Sequence, residues 1–210
     1  IDPPVEGESM EIIFEDFKEK ILPGITHWQH PSFFAYFPAN SSPPSVLAEM
    51  LTSTLGAQCM LWQTSPAATE METRLTDWLR RMTHLPSGLH GVIQDSASSA
   101  TLCALLTARE RATDWQSNKN GMTALSANLM VYTSEEAHSS TEKGAKIAGF
   151  GKDNVRLIST DENFSMCPKA LKTAIINDLT DGHIPTCVVA SMGRTGVGAV
   201  DPLKDVGDIC

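Results

Sequence analysis

Apolar residues recur at helical spacing through the first half of the chain and gather into short continuous runs in the second. The two periods predict different architectures. Residues 10–21 carry Ile12, Ile13, Phe17 and Ile21 on one helical face before Pro23-Gly24 ends the pattern. That face needs cover, from its own chain or from a second subunit. A second helix is expected over 45–58, ending near Gly56. A stronger one opens with Ser65 as N-cap and Pro66 in the first turn. Its stripe of Met71, Leu75, Trp78, Leu79 and Met82 reads as core, and Leu85-Pro86-Ser87-Gly88 stops it.

Residues 91–111, GVIQDSASSATLCALLTARER, read as a hydroxyl-rich loop opening directly into a long helix. Leu102, Leu105, Leu106 and Arg109 fall at helical spacing, so one side is buried and the other wet. Beyond it the pattern alternates: strands at 129–132, 155–158 and 186–190, and helices at 139–147 and 168–179. Strands joined by helical crossovers predict a parallel sheet, with ligand groups at the carboxyl ends of its strands.

Composition narrows the function classes. The 210 residues are 41% apolar and 20% charged, and no run approaches the length of a membrane span. A net charge of -9, with sixteen scattered Lys and Arg, excludes a broad nucleic-acid surface but leaves room for a local anion site. The five cysteines are odd in number and never form CxxC, which speaks against a disulfide framework and a structural zinc site. Three of them sit in apolar runs and read as small core residues of a reducing, cytoplasmic compartment. Two sequons, at Asn40 and Asn163, are discounted because no signal segment is visible. The chain stops at Cys210 just after a hydrophobic pattern has resumed, so a piece of a longer protein is expected.

Candidate chemistry lies at four places. Ser96, Ser98, Ser99 and Thr101 set hydroxyls where a helix begins, and a helix N-terminus also attracts anions. On its own this is first an ordinary serine-rich cap. Asp95, one step earlier, reads as a cap or turn residue. His138 stands at a strand-to-helix turn, where a lone histidine is most often a cap. Gly193, Gly196 and Gly198 surround Thr195 in a GxxGxG pattern that is neither GxGxxG nor a P-loop. Residues 27–40 concentrate Trp28, Phe33, Phe34, Tyr36 and Phe37 in an irregular stretch, either a packing plug or the wall of an apolar pocket. His27 and His30 lack a ligand partner nearby and Pro31 breaks their alignment, so no metal is assigned.

Four motifs in order, HWQHPSFFAYFPANSS, SPAATEMETRLTDWL, GVIQDSASSAT and YTSEEAHSST, resemble the pyridoxal-phosphate-dependent group II amino-acid decarboxylases of the aromatic-L-amino-acid decarboxylase family, over residues 6–210. The resemblance implies an α/β fold, the fold-type-I, aminotransferase-like large domain, incomplete here and preceded by a helical arm. It divides the chain into an arm with a substrate-facing loop, 1–44, and the first part of the cofactor-binding domain, 45–210. It implies a homodimer that binds pyridoxal 5'-phosphate and releases CO2 from an aromatic L-amino acid.

By the same resemblance Ala97 and Ser98 hold the cofactor phosphate, and His138 is the catalytic imidazole stacked on the pyridine ring. Thr195 lies beside the cofactor, although Arg194 and Gly196 replace the threonines that commonly flank it. Tyr36, Phe37, Pro38 and Ala39 face the substrate side chain, and Met60 and Trp62 reach toward the neighbouring subunit's pocket. The lysine that anchors the cofactor and the aspartate for its ring nitrogen are expected beyond Cys210, so the piece alone is expected to be inactive. An aldehyde-forming sibling, a histidine or glutamate decarboxylase, and a non-enzymatic binder on the same scaffold stay open; the aromatic stretch speaks for an aryl substrate over glutamate.

Overall fold

The computed structural model describes residues 4–36 and 40–210. The chain divides into two units, Ile1–Leu51 and Thr52–Cys210, each treated by itself. In the first, Ser9 caps helix α1 (Met10–Asp16), its hydroxyl accepting the N–H of Ile12, and the coil widens to a π-turn over Phe17–Ile21. The single helix expected over 10–21 is thus two geometries in series. Ile12, Ile13, Phe17 and Ile21 are all exposed.

Helix α2 (Pro43–Leu55) begins in the first unit and ends one residue before Gly56. Helix α3 (Pro66–Met82) has Pro66 in its first turn as expected, but Ser65 makes no side-chain cap. The larger departure is its stripe. Met71, Leu75, Trp78, Leu79 and Met82 are all exposed, with Trp78 49% accessible, so the face read as core is not buried among the described residues. Periodicity marks a face as apolar; it does not say what covers it.

The remainder builds one sheet. Helix α4 (Ala97–Ala112) is capped by Ser96, whose extended backbone brings Oγ to accept the N–H of Ser99 at 3.2 Å. A short α5 (Gln116–Asn120) follows, and then β1 (Leu129–Ser134), α6 (Ser140–Ile147), β2 (Val155–Ile158), α7 (Pro168–Thr180), β3 (Ile184–Val189) and α8 (Leu203–Ile209). The strands are parallel in the order β2-β1-β3, which makes β1 the central one, and it is buried along its whole length. Alternation along β1 serves two cores. Leu129 and Val131 join Leu105, Ala145, Ala148 and Phe150 on one face, while Met130 and Tyr132 join Ile158, Met166, Leu171 and Val206 on the other. Helices α4 and α6 come close because residue 144 is glycine: a Cβ there would stand 3.1 Å from Leu105 Cδ1.

Two buried carboxylates lock the layers. Asp178 accepts from the Tyr132 hydroxyl at 2.9 Å and from Arg156 Nη2 at 2.6 Å. Burial pushes its pKa up, but the hydrogen bonds from Arg156 and Tyr132 outweigh this and hold it below the ordinary value; burial and Asp178 together drive the Tyr132 phenol far upward. Glu110, on the last turn of α4, accepts from Arg109, from the Ser117 hydroxyl at 2.8 Å and from the Asn118 N–H at 3.1 Å. Arg109 holds the Glu110 carboxyl below its usual range against the opposing effect of burial. The cysteine expectation holds only in part: Cys59, Cys103 and Cys210 are exposed and Cys167 is half-buried, while the half-buried Cys187 packs against the core of Leu105, Leu129 and Val131. Cys103 sits in an apolar run but on the wet side of α4, so the run did not specify the face.

Candidate functional site

The site grows from the tip of α4. Ala97 and Ser98 are the first two residues of this 16-residue helix, and both are exposed. First-turn N–H groups have no partner within the helix, and here Ser96 takes only that of Ser99. Ser98 Oγ makes no hydrogen bond among the described residues. Asp95 lies in the bend ahead of the cap, exposed, while Ser96 does the capping. Ser98, Ser99 and Leu102 face Ser140, Lys143, Gly144 and Ile147 of α6 across a cavity of about 260 Å³.

His138 leaves the carboxyl end of β1 in the turn that starts α6. Its Nδ1 accepts the backbone N–H of Ser140 at 3.2 Å and stands 2.8 Å from the Ser140 hydroxyl. A backbone N–H aimed at Nδ1 selects the tautomer that carries its proton on Nε2. The cap and the ligand-facing reading coexist: Nδ1 fixes the ring to α6, while the residue stays exposed and Nε2 is uncommitted among the described residues. Ser140 is the member that sequence reasoning missed, though a hydroxyl two residues after a histidine was there as the signal. Because Ser140 also lines the cavity with Ser98, the imidazole and the helix tip belong to one locality.

Thr195 sits in the loop that follows β3 and is exposed. β1 and β3 are neighbours, and Thr133 Oγ1 donates to the Val189 carbonyl at 3.2 Å, so the loops carrying His138 and Thr195 leave the same edge of the sheet.

Of the substrate-facing quartet, Phe37, Pro38 and Ala39 lie outside the described residues. Tyr36, in the first unit, has φ +58°, and its ring stacks on Trp28 with centroids 5.4 Å apart and planes at 8°. Trp28 also stacks on Phe33, so the aromatic stretch forms a layered cluster. Met60 and Trp62 are exposed, and Trp62 lines a cleft of about 720 Å³ with Thr69, Thr73, Asp77 and His90.

A parallel sheet with a hydroxyl-lined helix tip and a fixed imidazole at its carboxyl edge belongs to the α/β class, in which ligand groups gather at the carboxyl ends of the strands. Residues 2–210 match the pyridoxal-dependent decarboxylase conserved domain, and the chain belongs to that family. It is 43% identical over 218 residues to the mouse aromatic-L-amino-acid decarboxylase, covering 99% of this chain and 45% of that one. It is 42% identical to 4-hydroxyphenylacetaldehyde synthase of Rhodiola rosea, covering 98% of this chain and 43% of the relative. The crystal structure of Oryza sativa TDC with PLP and tryptamine superposes with a TM-score of 0.91 at 34% identity, over 99% of this chain and 44% of that one. The fold is therefore that of the pyridoxal-phosphate-dependent decarboxylases, in part: the chain spans less than half the length of the curated relatives it matches.

The residues present fit the family's cofactor. Unpaired N–H groups and an unengaged serine hydroxyl at a helix tip suit a phosphate dianion, and an imidazole pinned at one nitrogen suits a planar ring.

Proposed function

We propose that the full-length protein decarboxylates an aromatic L-amino acid of the Trp, Phe, Tyr or Dopa class, as a cytoplasmic homodimer. When bound, pyridoxal phosphate supplies the electron sink for the pair left on Cα as the carboxyl group departs. In this reading the N–H groups of Ala97 and Ser98 and the Ser98 hydroxyl bind the phosphate. His138 covers the ring face and holds a proton at Nε2 for the reacting centre, with Ser140 fixing its orientation through Nδ1. Thr195 closes the site from the loop after β3. Tyr36, Phe37, Pro38 and Ala39 bind the aryl side chain, a role supported by the ring cluster around Trp28.

The observation that carries the reading is the Ser140-fixed imidazole sharing one locality with the exposed Ser98. The uncovered apolar faces of α1, α2 and α3 support a dimer, and five unpaired thiols support a reducing compartment. Among the described residues no helix is long and apolar enough to cross a membrane.

The test is an amino-acid panel given to the full-length protein. Tryptamine, tyramine, phenethylamine or dopamine formed with equimolar CO2 is expected, and no amine from any of the four parents would refute the reading. A second reading, oxidative conversion to the aldehyde, rests on the 42% identity to the Rhodiola rosea synthase. In the same assay it would produce aldehyde and peroxide in place of amine.

A further inference from the structure

The loop after β3 is tied down by a buried ion pair outside the set of residues assigned so far. Arg194 is 3% exposed and Asp201 is 2% exposed. Arg194 Nη2 pairs with Asp201 Oδ1, and Nη1 donates to the Phe164 carbonyl at 2.5 Å. Asp201 also accepts the N–H groups of Met166 and Ser191, each at 2.7 Å. One arginine and one aspartate thus join three segments: the turn around Phe164, the start of the loop at Ser191 and its end at Asp201. Phe164 itself holds φ +60°, a left-handed conformation unusual for a bulky residue, and Arg194 grips its carbonyl.

The loop between these anchors has little stiffness of its own. Gly193 and Gly198 have φ of +82° and +68°, and Gly196 lies between them. Short bonds close the turn: Gly193 and Arg194 N–H to the Ala199 carbonyl, and Gly198 N–H to the Arg194 carbonyl at 2.8 Å. A glycine-rich turn of this kind has many alternatives of similar energy. Burying an arginine with its counter-ion adds little net stability over an apolar pair, yet it fixes one geometry, because any other arrangement strands a charge. The residue next to this anchor is Thr195, exposed, at the edge of the sheet where His138 also emerges.

We propose that Arg194 is a positioning residue for the cofactor site: its guanidinium, held by Asp201 and the Phe164 carbonyl, sets the glycine-rich turn so that Thr195 is presented in one orientation. The proposal rests on the reading above that Thr195 lies beside pyridoxal phosphate.

The test uses the full-length apoprotein and two readouts, the dissociation constant for pyridoxal phosphate and the melting temperature without it. Arg194→Lys keeps the charge and loses the fork; Thr195→Val removes the hydroxyl. Each is expected to weaken cofactor binding about tenfold, and the double variant is expected to be no weaker than the worse single, because both changes remove the same contact. Additive losses, about a hundredfold in the double variant, would overturn the proposal, as would an Arg194→Lys protein that melts lower but binds the cofactor like wild type. If Arg194→Lys does not fold, Arg194→Gln replaces it under the same criteria. A wild-type protein that takes up no pyridoxal phosphate refutes the functional reading itself, whereas normal uptake by wild type and Arg194→Lys alike refutes only the role of Arg194.

Discussion

Helices α4 and α3 are of nearly equal length, and α3 has the more one-sided apolar pattern, yet α4 is a wall of the core and α3 has no buried residue. Leu105 of α4 is fully buried against β1 and α6, while every member of the α3 stripe is exposed. The difference is one of partners. α4 finds its cover within the chain, in a sheet whose central strand is buried from end to end. Among the described residues α3 finds none. The α/β region buries its own core around β1, and the helices before it expose apolar faces among the described residues.

The contrast predicts a graded series in the full-length protein. The largest effect belongs to Leu105→Ala, which opens a cavity between α4, α6 and β1 and should destabilise by about 3–4 kcal/mol in chemical denaturation, whatever the protein concentration. Asp178→Ala comes next. It strands the Tyr132 hydroxyl and an Arg156 that is partly exposed, for about 2–3 kcal/mol.

The same carboxylate gives a pH signature. Its folded pKa is depressed, so its contribution is present wherever the unfolded carboxylate is ionised, above about pH 4, and is lost as pH falls through the folded value. Stability measured downward from pH 5 should drop in wild type and drop less in Asp178→Ala. A parallel decline in both would remove Asp178 as the cause.

On α3, Leu79→Ala should weaken self-association about tenfold in sedimentation, with little effect on the melting of the α/β region. Equal loss of stability at all protein concentrations would erase the distinction between the two regions. The smallest effect is Ser96→Ala, about 1 kcal/mol of α4 stability from the lost cap, read as faster amide exchange at Ser99.

What could be read beforehand follows from how local each signal is. The strands announced themselves as short apolar runs, and β1 and β3 proved longer or shifted by a residue or two, at 129–134 and 184–189. The serine run ahead of α4 marked both cap and candidate anion seat because each depends on residues within one turn. The buried carboxylates stayed hidden: Asp178 meets Tyr132 and Arg156 across 46 and 22 residues, and a single aspartate in a helix carries no trace of either. Arg194 was visible only as an interruption of a threonine run. Its burial comes from Asp201, seven positions on, and from a carbonyl thirty residues back. The α3 stripe misled for the opposite reason, since the pattern was clear and the missing fact was the neighbour.

The central claim is that the exposed tip of α4 seats the phosphate of pyridoxal phosphate, and Ser98→Asp in the full-length apoprotein tests it most directly. A carboxylate in the first turn is favourable to the helix, so the melting temperature should hold or rise slightly, while repulsion of the phosphate should weaken cofactor binding by about a hundredfold or more. A Ser98→Asp protein that binds pyridoxal phosphate as tightly as wild type would contradict the account.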